Sequence, residues 1–365
     1  MIKILAINPG STSTKVAIMG LNMDTKDEKE MITQIFSTNI KHSIEKIDEF
    51  EKVANQYQWR KQCVLDELKA NNINIAEIKY VIGRGGLVKN IPSGIYRINN
   101  LMLEDLKIGY NGEHASNLGG LIADDIAKSI GVESFTADPV VVDEMDPIAK
   151  VSGHPLFQRK SIFHALNQKA IARTYAKRIG EQYEKLNLIV IHMGGGISVG
   201  AHQKGLVVDV NQALNGEGPF SPERSGTLPV VDVIKACFSG DYTEEELNKM
   251  VVGKGGFVSY LGTNNALEVE QRIEKGDKEA EFYSSAMAYQ IAKEIGSAAT
   301  VLKGEVDAIL LTGGMAYDRP FVQKIAQRVS FIAPVEAFPG EDEMHALAFN
   351  IYLMLKGEIP CKDYK

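Results

Sequence analysis

Two short stretches rich in glycine and hydroxyl side chains are the first candidates for chemistry. One, Asn8-Pro9-Gly10-Ser11-Thr12-Ser13-Thr14-Lys15, interrupts an apolar run and ends on a cation. The other, His192-Met193-Gly194-Gly195-Gly196, closes a second apolar run. A hairpin turn of this composition can aim successive backbone N–H groups and hydroxyls at one point, which is what phosphate oxygens require. Asn8 and Lys15 flank the first turn with a polar anchor and a charge, and Ser11 and Ser13 supply its hydroxyls. His192 enters the second turn with an imidazole able to donate to a phosphoryl group. Each turn alone reads equally as an ordinary tight hairpin, and a lone histidine is more often structural than functional. Two such turns facing each other would grip one triphosphate.

Anion recognition has a second source. Arg84 is flanked by Gly83, Gly85 and Gly86, and Arg224 lies in the loop 216–226, Gly-Glu-Gly-Pro-Phe-Ser-Pro-Glu-Arg-Ser-Gly. Arginine in a glycine-rich loop suits a planar or tetrahedral anion, with small neighbours leaving room for the ligand. For any one arginine, a surface ion pair is the commoner reading. Neither GxxxxGK[ST] nor GxGxxG occurs, so a phosphate site has to be built from the hairpins.

The elements that must position these residues alternate. Strand-like runs at 3–8 and 15–19 enclose the first turn, and helical patterns follow at 47–70, 115–130 and 161–180, with strands at 80–82 and 134–137. A second hairpin, 188–193 and 197–201 with a strand at 206–210, repeats the first. The pattern predicts an internal structural duplication, one copy per domain. Later segments read as helices at 230–238, after a Thr243-to-Glu246 capping box, at 280–302 and at 342–356, with a strand at 308–311 running into Thr312-Gly313-Gly314. An α/β protein of two domains is expected, 1–150 completed by 345–365, and 151–344.

Composition narrows the partners. The chain has 365 residues, 44% apolar and 24% charged, with a formal net charge of −7, enough apolar content for substantial cores and the wrong sign for nucleic acid. An anionic ligand must therefore be met by local groups. Cys63, Cys237 and Cys361 are scattered and odd in number, which excludes a disulfide framework and fits a reducing cytoplasm. No signal peptide or membrane-spanning run is evident, so neither secretion nor a membrane partner is expected.

Five segments together resemble a family: 8–15, Glu113-His114-Ala115-Ser116-Asn117-Leu118-Gly119-Gly120, Phe163-His164-Ala165-Leu166-Asn167, 192–196, and Thr312-Gly313-Gly314. They look like the acetokinases, the family of acetate and butyrate kinases, and the match spans nearly the whole chain. The resemblance implies two ribonuclease-H-like domains of the acetate and sugar kinase, Hsp70 and actin superfamily around a nucleotide cleft. It implies reversible phosphorylation of a short-chain carboxylate, butyrate foremost, to its acyl phosphate, with ATP/ADP, Mg²⁺ and a homodimer or larger homo-oligomer. Carried over by motif, Asn8, Ser11, Ser13 and Lys15 belong to one phosphate hairpin, and His192, Gly194, Gly195 and Gly196 to the other. Arg84, Asp138, His164 and Arg224 would surround the transferring phosphoryl group and the carboxylate, with His114 a further histidine at the substrate. Gly313 and Gly314 would lie at the adenosine, and Asp342 and Glu343, with Asn8, near the magnesium. Asn265 and Leu267 stand where the family usually has Asp and Arg, so a local ion pair is expected to be lost there. Other acids (isobutyrate, propionate, acetate) and an actin- or Hsp70-like ATPase are the competing readings. A sugar-kinase-like repressor is disfavoured by the acidic charge and by a strand that starts at residue 2.

Overall fold

The first apolar run forms β1 (Ile2–Pro9), and the chain reverses into β2 (Ser13–Leu21), antiparallel, with Asn8 opposite Lys15. Both strands are apolar on both faces because both faces are covered. Leu5, Ile7, Val16 and Ile18 share one core with the helices Tyr57–Ala70 and Asn117–Ile130, through Val64, Leu68, Leu118 and Ile122. Ile4, Ala6, Ala17 and Met19 alternate onto the other face and are equally buried, where the helix Glu343–Leu355 packs against β1 and β2. Each buried Leu or Ile contributes ~1.5 to 3 kcal/mol, so the turn between these strands stands on a well-anchored base.

This computed structural model describes residues 1–25 and 28–365. The chain separates into two units, Met1–Val142 with Asp342–Lys365, and Asp143–Glu341. In the first, β3 (Ile32–Lys41), β4 (Ile78–Arg84), β5 (Ile95–Arg97) and β6 (Glu133–Ala137) join β1, β2 and the final strand Cys361–Asp363. Their order is final strand, β5, β6, β4, β1, β2, β3.

In the second unit β7 (Asn187–Met193), β8 (Ile197–Gln203) and β9 (Leu206–Val210) form the later hairpin and its third strand, followed by β10 (Ala308–Gly313) and β11 (Val335–Pro339). The order is β11, β10, β7, β8, β9. The helix Ala165–Arg178 covers Leu188, Val190 and Leu310 on one face through Ala172 and Tyr175. On the other, the helix Lys278–Val301 presents Met287, Ile291 and Ile295 to Ile189, Ile191 and Leu311.

The two sheets share a five-strand pattern. β3-β2-β1-β4-β6 and β9-β8-β7-β10-β11 each have three strands paired antiparallel and then two added in parallel. The duplication expected from the hairpins is therefore present in topology, with two ribonuclease-H-like α/β units.

One helix differs from its expectation. The pattern at 47–70 predicts one long helix, whereas a single turn, Ile44–Ile47, is followed by irregular chain and a 3₁₀ turn, Val53–Gln56, and the α-helix begins only at Tyr57. Phe50 turns back to stack on Trp59, ring centroids 5.5 Å apart, so its apolar surface is satisfied locally instead of along a helical face. The capping box forms as expected, Thr243 Oγ1 accepting from Glu246 N–H while the Glu246 carboxylate accepts from Thr243 N–H. Among the described residues no helix is long and apolar enough to cross a membrane.

Candidate active site

The first turn is held from behind. Gly10 N–H donates to Ser13 O at 2.7 Å, and His42 N–H donates to Thr12 O at 2.9 Å. Ser11 is exposed and Ser13 half-buried. Lys15 lies on β2 between Asn8 and Asn39 of the neighbouring strands and has no carboxylate partner among the described residues.

Asn8 ends the buried run of β1 and meets two groups brought by distant segments. Its Oδ1 accepts from Arg84 Nη1 at 3.3 Å, and its Nδ2 donates to Glu343. Arg84 Nη1 also pairs with Glu343 Oε1 at 2.9 Å, both side chains largely shielded. Arg84 reaches this point because β4 runs parallel to β1, with Gly83 beside Ile7, and Glu343 because the last helix begins there. Asp342 does something else: exposed, it caps that helix by accepting from His345 N–H at 2.9 Å. The acidic pair thus divides into a helix cap and a carboxylate turned toward Asn8 and Arg84.

The glycines around Arg84 do not serve ligand approach, as the sequence suggests, but backbone packing. A Cβ on Gly83 would lie 2.2 Å from Gly119 O, one on Gly119 2.3 Å from Arg84 O, and one on Gly85 2.4 Å from Pro139 Cβ. Arg84 is held by close contact between β4 and the helix Asn117–Ile130. Asp138, buried after β6, has φ +40°, and its Oδ1 accepts from Ser93 Oγ at 2.6 Å and Gly94 N–H at 2.8 Å. A non-glycine residue in the left-handed region persists only where its surroundings over-determine it. His114 is exposed; its Nδ1 accepts from Ser116 N–H at 3.2 Å, which puts the proton of the neutral ring on Nε2.

In the second unit, His192 on β7 is buried, with Nδ1 2.9 Å from Asn167 Oδ1 and Nε2 3.4 Å from Glu341. His164, at the start of the Ala165–Arg178 helix, stacks on it with centroids 3.8 Å apart and planes at 16°. His164 is anchored through Nδ1 to Ser198 Oγ at 2.9 Å, and Ser198 Oγ accepts from Gln168 Nε2 at 2.9 Å. Both rings are thus oriented by their Nδ1 atoms.

Arg224 packs against the second turn. Its Nη1 donates to Ala213 O at 2.6 Å, and a Cβ on Gly196 would sit 1.9 Å from Nη1. Ser221 Oγ donates to Gly195 O at 2.6 Å, pinning the same loop to the turn. Burial pulls the Arg224 pKa down while Glu223 raises it, and its Nε–H is buried without a partner among the described residues. A guanidinium so placed gains from an anion.

Gly313 has φ +92°, and a Cβ there would lie 2.3 Å from Met193 O, so the end of β10 lies against the end of β7. Gly314 faces open space and lines a cavity of about 270 Å³ with Phe257, Leu267, Val269, Met315 and Tyr317. The volume and apolar lining suit a planar ring. Asn265 caps the helix Ala266–Glu274, accepting from Leu267 N–H at 3.1 Å and Glu268 N–H at 3.3 Å. A cap needs only an oxygen acceptor, which Asn provides as well as Asp, and Leu267 joins the apolar wall.

Sequence reasoning quotes Asn167 within the segment 163–167 but gives it no role, and it passes over Ser198, Gln168 and most of the cavity wall. Nothing in local spacing links Asn167 to His192 or Ser198 to His164.

A model of the acetokinase family matches residues 149–332. Butyrate kinase 2 of Clostridium acetobutylicum is 54% identical over 363 residues, covering 100% of this chain and 99% of that protein. Acetate kinase of Porphyromonas gingivalis has a TM-score of 0.76 at 17% identity, covering 97% of this chain and 100% of that one. Propionate kinase of Francisella tularensis gives 0.73 at 19%, covering 95% and 98%. At those identities the two structures speak to the fold.

Proposed function

Because the chain belongs to the acetokinase family, we propose that it transfers a phosphoryl group reversibly between ATP and a short-chain carboxylate, butyrate foremost, forming the acyl phosphate. The observation that carries this reading is the meeting of Asn8, Arg84 and Glu343 beside the first turn: a cation and a hard oxygen donor next to an anion-binding turn. The full-length identity to a butyrate kinase supports the choice of acid.

A carboxylate nucleophile, with an ordinary pKa of ~4 to 5, is already ionised at neutral pH, so no general base is required. The barrier is repulsion between this anion and the polyphosphate, on the order of 4 kcal/mol for unit charges ~4 Å apart at an effective dielectric of ~20. Arg84 and Arg224 offset that repulsion at the carboxylate and the equatorial phosphoryl oxygens. His192 and His164, held by Asn167 and Ser198, are assigned as donors to phosphoryl oxygens, and His114 as a further histidine for the substrate. Asp138 holds its loop in a fixed, strained form. Ser11, Ser13 and Lys15, with the amides of the turns 10–13 and 194–196, bind the phosphates; Gly314 leaves room for adenosine, and Gly313 lets β10 close against β7 beside it.

Glu343 and Asn8 offer the oxygen donors that Mg²⁺ prefers, one or two protein oxygens with the rest from water and phosphate. Bound there, the ion would neutralise phosphate charge. Glu343→Gln is expected to raise the Mg²⁺ concentration needed for half-maximal rate by ~10-fold or more, as loss of a ligand or its support does. Asp342→Asn, which preserves the cap, should leave it unchanged. A magnesium titration at fixed ATP decides, and the reverse result would assign the ion to Asp342.

The whole reading is tested with C2 to C5 straight and branched acids, trapping acyl phosphate with hydroxylamine. Butyrate is expected to give the highest kcat/KM with a graded fall on either side, since one methylene is worth only ~1 to 3 kcal/mol in an apolar pocket. No hydroxamate from any acid would sink the proposal. The free cysteines Cys63, Cys237 and Cys361 support a reducing cytoplasm, and the family resemblance supports a homodimer or larger homo-oligomer.

A further inference from the structure

Arg60 is 1% exposed, a guanidinium almost wholly removed from water. No carboxylate pairs with it among the described residues. All of its nitrogens are committed to the back of the first turn and one glutamine. Nη1 donates to Gly10 O at 2.7 Å, Ser13 O at 3.1 Å and Thr14 Oγ1 at 3.4 Å. Nη2 donates to Ser11 O at 2.8 Å and to Gln56 Oε1 at 2.8 Å, and Nε donates to the same Gln56 oxygen at 3.0 Å. Gln56, itself buried, lies one helical turn before Arg60 and sets the plane of the fork.

With Thr12 O taken by His42 N–H at 2.9 Å, every carbonyl from Gly10 to Ser13 has a donor behind it. The backbone amides of Ser11 and Thr12 have no partner among the described residues. A buried guanidinium without a counter-carboxylate is costly, and burial lowers its pKa to about 10. Carbonyl dipoles offset part of that cost, and an anion on the far side of the turn would offset more.

We propose that Arg60 is a positioning residue for the nucleotide phosphates: it draws the turn's carbonyls inward, presents the Ser11 and Thr12 amides outward, and places a permanent positive charge behind them. This rests on reading the turn 10–13 as a phosphate site. Nothing in the local sequence marks Arg60, which sits in an otherwise ordinary helix 48 residues or so from the turn, on the order of a whole supersecondary unit away.

The test uses the full-length enzyme. Arg60→Ala is expected to raise KM for ATP by ~10- to 100-fold, the scale of losing charge-assisted hydrogen bonds, with KM for the carboxylate nearly unchanged. Guanidinium ion at a sub-denaturing concentration should recover part of the loss, while methylammonium should not, because only a planar fork meets these carbonyls. A folded Arg60→Ala enzyme with unchanged KM for ATP would overturn the proposal. So would a loss shared equally by both substrates and insensitive to guanidinium, which is the mark of a merely structural residue. If Arg60→Ala does not fold, Gln56→Ala decides: a raised KM for ATP alone supports the proposal, and an unchanged one overturns it. Ser11→Ala and Lys15→Ala separate the two layers. If these leave KM for ATP unchanged the phosphate reading of the turn fails, whereas if they raise it and the Arg60 and Gln56 variants do not, only the role of Arg60 fails.

Discussion

Arg84→Ala is expected to lower kcat/KM for the carboxylate by at least ~10²-fold, the effect of removing one preorganised transition-state donor. Two consequences add. The guanidinium that offsets charge on the reacting anions is lost, and Glu343, now paired with Arg84 at 2.9 Å, becomes an uncompensated carboxylate facing them. Arg84→Lys should recover only part of the activity, since an ammonium keeps the charge but not the fork. Stability should fall as well, because the largely shielded Glu343 loses its cationic partner and Asn8 loses a donor. Steady-state hydroxamate kinetics with a thermal melt check both statements. Near-normal kinetics in Arg84→Ala would remove this residue from the mechanism.

Gly196→Ala is expected to cost ~10²-fold in kcat while leaving the fold intact, since misplacing a catalytic group by ~1 Å has effects of that size. An added Cβ would stand 1.9 Å from Arg224 Nη1 and 3.3 Å from Ala213 O. The guanidinium must yield, and in yielding it loses its 2.6 Å hydrogen bond to Ala213 O. Gly153→Ala, where a Cβ meets nothing within 4 Å, is the control and should be silent. If Gly196 acts through Arg224, the double variant Gly196→Ala with Arg224→Ala should be no worse than Arg224→Ala alone, since changes that disable one unit do not add. Additive losses would mean that Gly196 matters for another reason, such as its own amide in the turn.

Much of the fold was legible because its elements carry strong local signals. The hairpin strands are long apolar runs, their turns are glycine and hydroxyl clusters, and the repeat of that unit predicted an internal duplication, which the strand order common to the two sheets shows. The helix at 57–70 was overextended because Phe50 continues the helical pattern in sequence but stacks on Trp59 in space. Edge strands such as β3 and β11 passed unnoticed, for they are only partly buried and their patterns are correspondingly mixed.

The sequence by itself determined the chemical inventory: two phosphate-type turns, two arginines, several histidines and an acidic pair, with a family resemblance that assigned them to carboxylate phosphorylation. These are properties of residue type and local spacing. Only the tertiary structure decided which residue works with which. It separated Glu343 from Asp342, since a helix start turns one carboxylate to Asn8 and Arg84 and the other to a backbone amide. It joined His192 to Asn167 and His164 to Ser198, and it placed Arg60 behind the first turn. Such pairings depend on strand register and helix packing between segments far apart in the chain, and distance along the sequence carries no record of them.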